Sequence, residues 1–219
     1  MDIFDLIGPI MVGPSSSHTA GAVRIGLVGR NLLGEKPLRA ELYLHGSFAA
    51  TGAGHGTDRA LVAGLLGMAP DDERIPDSFS HAEKEGLEFK FDTASLRAAH
   101  PNSVLLKLWG ENESFVELVA ASIGGGRIEV RELAGMKLSF SAEHPTLIVR
   151  NTDQPGSISD VSRLLAALHI NIATFKVNRD SRGGEAIMVI ECDSPLSEDI
   201  ARNIRRIPGI LKAVCINPV

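Results

Sequence analysis

The stretch Ala173-Thr174-Phe175-Lys176-Val177-Asn178-Arg179-Asp180-Ser181-Arg182-Gly183-Gly184-Glu185-Ala186-Ile187-Met188-Val189-Ile190-Glu191-Cys192 reads as a β-hairpin. Ala173, Phe175 and Val177 alternate with Thr174, Lys176 and Asn178 at the two-residue period of a strand, Asp180 to Gly184 supplies turn residues, and the apolar run Ala186 to Cys192 leads back. Before the hairpin, Leu147-Ile148-Val149 predicts a strand, and Val161, Leu164, Leu165 and Leu168 follow with the spacing of a helix buried on one face. After it, Ser197 is placed to cap a helix that carries Glu198 and Asp199 in its first turn and Ile200, Ile204 and Ile207 as its apolar stripe. Ile210 to Ile216 closes the series. The order is βαββαβ, a ferredoxin-like arrangement over residues 146–219.

The polar link Ser141-Ala142-Glu143-His144-Pro145 precedes this unit and bounds a first domain over residues 1–143. There, Arg39 to His45 alternates with Ala40, Leu42 and Leu44 on one face, and Leu87, Phe89 and Phe91 repeat the pattern. Val104 to Leu108, Phe115 to Ala121, Arg127 to Leu133 and Met136 to Phe140 also read as strands, with helices interspersed and one over Ser80 to Gly86. The whole chain is therefore α+β: a mixed sheet with helices, then the βαββαβ unit.

Two loops in the first domain carry more chemistry than a turn needs. Gly13-Pro14-Ser15-Ser16-Ser17-His18-Thr19-Ala20-Gly21 sets four hydroxyls and an imidazole between two glycines, whereas one hydroxyl suffices to cap a helix. Thr51-Gly52-Ala53-Gly54-His55-Gly56-Thr57-Asp58 echoes it and precedes the apolar run Ala60 to Leu66. Backbone donors and the positive end of the macrodipole at such helix starts favour a small anion such as a carboxylate. The plainer alternative is a pair of capped turns with exposed histidines. Gly124-Gly125-Gly126 reads first as a bulge or hairpin corner, with bare backbone donors lining a pocket as the alternative.

Composition excludes several classes. The 219 residues carry a net charge of −5, with the Lys and Arg residues scattered, which argues against nucleic acid. No apolar run approaches the roughly 20 residues of a membrane span, and Met1-Asp2-Ile3-Phe4-Asp5 lacks the basic start of a signal peptide, so a cytoplasmic location is expected. The two cysteines, Cys192 and Cys215, lie in strand-like runs and fall short of the about four ligands that a structural zinc or an iron–sulfur cluster takes. The seven histidines include no pair one helical turn apart, so no self-contained metal site is expected. A Ser17–His18 hydrolase fails because neighbouring residues do not bring nucleophile and base into reach and there is no Gly-x-Ser-x-Gly elbow; a Walker-type loop fails for want of a Gly-Lys-Ser/Thr end.

Phe4-Asp5, Gly13 to Thr19, His45-Gly46-Ser47, Thr51 to Asp58, Ser122-Ile123-Gly124-Gly125-Gly126 and the C-terminal unit together resemble the beta chain of iron–sulfur-dependent L-serine dehydratases, with the C-terminal unit resembling an ACT regulatory domain. The resemblance implies conversion of L-serine to pyruvate and ammonia, with a [4Fe-4S] cluster acting as Lewis acid toward the leaving hydroxyl and held by a separate alpha chain. It implies active-site roles for His55, His18 and His100, with His55 preferred as base because glycines flank it and a neutral imidazole of pKa about 6.5 suits Cα proton removal. Ser16, Ser17 and Thr19 are expected to hold the substrate carboxylate or the loop, Thr57 to cap a helix, Asp58 to orient an imidazole, and Asn102 to lie beside the substrate. His45, His81, His144 and His169 read as surface or turn residues. Resemblance to the regulatory domain of phosphoglycerate dehydrogenase places Asn151, Asp153 and Asn171 at an effector site between two paired domains, although Asn and Asp in such turns also bond their own backbone. The competing function is a stand-alone regulatory protein that senses an amino acid and does no chemistry.

Overall fold

The computed structural model describes residues 10–111 and 113–218. Phe4-Asp5, part of the resemblance above, lies outside them. A π-helical turn at Ser16–Ala20 runs directly into α1 (Gly21–Leu33), and β1 (Arg39–Leu44), α2 (Ser47–His55) and α3 (Thr57–Leu65) follow. A 3₁₀ turn at Ile75–Asp77 leads to α4 (Ser78–Glu85), β2 (Glu88–Thr93), β3 (Ser103–Trp109), β4 (Phe115–Gly124), β5 (Arg127–Leu133) and β6 (Met136–Phe140). The sheet order is β2-β1-β3-β4-β5-β6. β1 and β2 are parallel while β1/β3, β3/β4 and β4/β5 are antiparallel, which makes the sheet mixed, as expected.

The expected alternation selects the face. Ala40, Leu42, Val104, Leu106, Leu108, Leu118 and Ala120 are all buried, and Val23, Ile25, Val28, Leu61 and Leu65 of the helices are buried with them. On the opposite face of β1, Glu41 is only 7% exposed. Tyr43 Oη donates to it at 2.7 Å and Lys90 Nζ lies 3.0 Å away, and these bonds hold its carboxyl down at about 2. α1 and α3 meet at glycines: a Cβ on Gly26 would lie 2.4 Å from Leu61 O, and one on Gly64 would lie 2.1 Å from Val23 O. Helix ends are marked by glycine too, with Gly34 and Gly86 in the left-handed region at φ 86° and 73°.

The compact units divide at Gly135, ahead of the polar link, and the second spans Met136–Pro218. It contains β7 (Thr146–Thr152), α5 (Ser157–Ala167), β8 (Ile172–Arg179), β9 (Glu185–Cys192), α6 (Glu198–Ile204) and β10 (Ile210–Ile216), the βαββαβ order expected. Its sheet runs β10-β7-β9-β8 with every pairing antiparallel. Leu147, Val149, Val161, Leu165, Met188, Ile190, Ala201 and Ile204 form the core. One expectation is corrected: Ser197 stands at the N-cap of α6 in extended conformation, yet its side chain makes no capping bond.

Candidate functional site

The two histidine motifs fold differently from the loops expected, and the difference builds the site. His18 sits inside the π-helical turn, where Ser15 is the N-cap: Ser15 Oγ accepts from His18 N–H at 3.3 Å, and Gly21 N–H closes the wide turn on Ser16 O. π-turns of this kind recur at functional positions. Thr51 to His55, expected to be a loop, is the second half of α2. Gly46, at φ 56°, turns the chain out of β1, and Pro101 O accepts from Ser47 N–H at 2.8 Å to start the helix. Gly56, at φ 70°, then breaks it and α3 begins at once. His55 is thus the last residue of one helix and a near neighbour of the start of the next.

These elements bring His18 and His55 together, ring centroids 4.9 Å apart and tilted by 37°. Fully buried Phe48 lies edge-on to His18 with centroids 5.3 Å apart. Thr51 links the pair. Its hydroxyl donates to Ser47 O at 2.9 Å, so its oxygen is left to accept from His18 Nε2–H at 3.2 Å, while its carbonyl lies 3.0 Å from His55 Nδ1. Ser47 Oγ stands 3.2 Å from His18 Nε2 as well, and Ser15 Oγ stands 3.4 Å from Nδ1. The neutral tautomers follow: His18 carries its proton on Nε2, and His55 donates from Nδ1 and keeps the lone pair on Nε2. Burial, then the nearby His55, lowers the pKa of His18 below 6.5 against the opposing Ser47 bond.

Other sequence candidates are placed as follows. Thr19 is 2% exposed, with Oγ1 buried and unpartnered against Gly13. Ser16 and Ser17 lie in the π-turn beside His18. Thr57 does not cap a helix: Gly56 occupies the cap position, and Thr57 is fully buried with Oγ1 unpartnered. Asp58 makes no hydrogen bond to an imidazole among the described residues; its Oδ1 accepts from the Arg59 N–H at 2.8 Å. His100 makes no ring contact with His18 or His55 among the described residues. Its Nδ1 accepts from Asn102 N–H at 3.2 Å, Asn102 O accepts from Ser122 N–H at 3.0 Å, and the link to the histidine pair runs through the Pro101 carbonyl on Ser47. His45 is half-buried, its Nδ1 accepting from Leu96 N–H at 3.2 Å. The glycine triplet is the corner between β4 and β5, with φ of 103°, 61° and 77°, and Gly126 O accepts from Arg24 Nη1 at 2.8 Å.

Sequence reading did not assign Ser47 or Thr51. The available signal was their spacing, since Ser47, Thr51 and His55 recur every four residues and so share one helix face. In the second unit, Asn151 is 2% exposed with Oδ1 unpartnered and Nδ2 on Thr152 O at 2.7 Å. Asp153 accepts from Gly183 N–H and Arg179 Nη1, each at 3.0 Å, and Asn171 Nδ2 donates to Asp193 Oδ2 at 2.6 Å.

The cysteines do not fit an iron–sulfur cluster. Cys192 is buried, burial holds Cys215 up at about 11, and ligation requires thiolates. Among the described residues, no group of three His, Cys, Asp or Glu side chains is arranged to hold a metal ion, and no helix is long and apolar enough to cross a membrane.

Comparison with known proteins accords with this arrangement. Residues 2–87, which contain both histidine motifs, match the family described as "Serine dehydratase beta chain", and residues 145–209 match the ACT domain. The chain is 41% identical to the "Probable L-serine dehydratase, beta chain" of Bacillus subtilis, covering 98% of this chain and 97% of that protein. It is likewise 41% identical to the "L-serine dehydratase, beta chain" of Peptoniphilus asaccharolyticus, over 90% of this chain and 89% of that one. A "D-3-phosphoglycerate dehydrogenase" of Bacillus subtilis is 28% identical over 73% of this chain but only 30% of its own length. Identity that runs nearly end to end, through a π-turn and a broken helix that converge on two imidazoles and on into the βαββαβ unit, places this chain in the serine dehydratase beta-chain family, with a C-terminal ACT domain.

Proposed function

We propose that this chain is the beta subunit of an L-serine ammonia-lyase, in which it supplies the proton-transfer residues and a separate alpha chain supplies the [4Fe-4S] cluster, in the cytoplasm. The paired imidazoles carry the reading, since elimination from L-serine begins at a carbon-bound proton and needs a base that is neutral near pH 7. His55 Nε2 takes the Cα proton, with Nδ1–H anchored on Thr51 O to hold the ring in that tautomer. His18, kept neutral by burial and by His55, presents Nε2–H to the Ser47 and Thr51 hydroxyls and fixes the far side of the pair. Loss of that proton and of the β-hydroxyl gives aminoacrylate, which tautomerises and hydrolyses to pyruvate and ammonia. No step is assigned to the cluster on this chain, whose cysteines do not fit it.

The ACT unit is the regulatory part of the proposal. Its support is Asn151, whose buried Oδ1 has no partner and lies at the end of β7 beside the α5 loop. Edge strand β8, exposed along much of its length, supports self-association. Asp153 and Asn171, the other effector candidates, are already held by Arg179, Gly183 and Asp193, so a ligand there would displace or extend those bonds.

The test is co-production with the alpha chain under anaerobic conditions. The lone chain is expected to be colourless and inactive toward L-serine, and the complex brown and pyruvate-releasing. His55→Ala in the complex is expected to cut turnover by about 10²–10⁴ with the colour retained. Activity from the lone chain, or undiminished turnover in the variant, overturns the assignment.

A further inference from the structure

A cavity of about 220 Å³ opens beside His55. Gly13, Pro14, Ile75 and Pro76 line it, and among the described residues Arg59 is the one Lys or Arg side chain in its wall. The volume admits a small amino acid.

Three observations on this cavity point to a ligand. Arg59 is oriented but not neutralised: Nη1 donates to Pro76 O at 2.7 Å and the guanidinium stands 5.8 Å over the Phe79 ring. No carboxylate among the described residues forms an ion pair with it; adjacent Asp58 turns Oδ1 to the Arg59 backbone N–H, and Nη1 alone is committed to the Pro76 carbonyl. Thr19 also lines the cavity, nine-tenths buried and more, with an unpartnered Oγ1. Gly54, finally, lies within α2 at negative φ, and a Cβ built on it would meet nothing within 4 Å. Neither backbone nor packing requires glycine there, and glycine in a helix costs about 0.5–1 kcal/mol relative to alanine. Its effect is to leave the cavity wall bare next to His55. Gly52, by contrast, has a packing reason, since its Cβ would come within 3.3 Å of Thr57.

We propose that this cavity binds the carboxylate of a small α-amino acid on the free edge of the Arg59 guanidinium, with the Cα of the ligand passing over Gly54 toward His55. This rests on the dehydratase reading and adds to it the residue that selects for an acid. A guanidinium offers parallel donors that match both carboxylate oxygens, which an amide or ester cannot reciprocate.

The experiment uses the assembled complex and two ligands that cannot eliminate, L-alanine and L-alaninamide, measured by calorimetry. Arg59→Gln is expected to weaken L-alanine by about tenfold or more while L-alaninamide changes by less than about twofold, and to raise KM for L-serine with little change in kcat. Gly54→Val is expected to abolish L-alanine binding with the complex still assembled and brown. The site is overturned if Arg59→Gln leaves L-alanine unchanged, if acid and amide weaken equally, or if the native complex binds no L-alanine. Arg59-dependent L-alanine binding in a complex that releases no pyruvate would sink the dehydratase reading and leave the carboxylate site standing. Pyruvate release with Arg59-independent binding would do the reverse.

Discussion

The imidazoles of His18 and His55 face one another with centroids 4.9 Å apart, and Thr51 bonds to both, His18 through its hydroxyl and His55 through its carbonyl. Burial disfavours protonated His18, and a second imidazole at that separation adds to the effect, so His18 is held neutral.

The first prediction follows from the sign of that coupling. Burial and His55 both disfavour protonated His18, so its proton affinity in the folded chain is below the unfolded value of 6.5. The unfolded chain therefore takes up that proton first, and folding stability declines as pH falls from about 6.5 through the lower folded pKa. NMR titration of the ring Cε1–H should give a midpoint under 6.5 for His18, and His55→Gln should move it upward. A midpoint that stays put in the variant would show that the rings do not sense each other.

A second prediction concerns the contact that carries the site's scaffold. Gly26→Ala or Gly64→Ala drives a methyl into the backbone carbonyl of the facing helix, so α1 and α3 must separate. The expected loss is about 1–3 kcal/mol for each, read as a lower denaturant midpoint. Midpoints within error of the parent would mean that the helices have room they are not shown to have.

A third prediction addresses the π-turn. A Cβ on Gly21 would lie 2.1 Å from Ser122 Oγ and 2.8 Å from Ser122 Cβ, so Ser122 of β4 abuts the turn that carries His18. Gly21→Ala should lower both stability and turnover, and the double variant Gly21→Ala/Ser122→Gly should recover much of each because the obstructing atoms are gone. Losses that simply add would indicate that the two positions act independently.

Much of the fold is legible because strand and helix periods are local. Ala40, Leu42 and Leu44 declare the buried face of β1, and the hairpin from Ala173 to Cys192 declares its own turn. The helix α2 is not legible: three glycines at alternate positions, Gly52, Gly54 and Gly56, read as loop, and only Gly56 actually breaks the helix. What overrides low propensity there is tertiary, namely the Pro101 carbonyl on Ser47 N–H and Phe48 buried beneath. The expected Thr57 cap is absent for the same reason: with α2 running up to Gly56, the glycine itself takes the cap position of α3. Glu41, polar and next to apolar positions, is buried by Tyr43 and Lys90, and no period in β1 signals that.

Taken alone, the order of residues determined which groups are present and how they are spaced: two imidazole motifs, a mixed α+β unit, a βαββαβ unit, and too few cysteines for a cluster. Those are properties of composition and of short-range period. Only the tertiary structure decided that a π-turn and the end of a broken helix place His18 against His55, that Thr51 couples them, and that Gly54 and Arg59 line one cavity with His55. Such relations join segments distant along the chain, and the contacts that enforce them, a carbonyl on a helix start and two helices touching at glycine, leave no periodic trace in either segment.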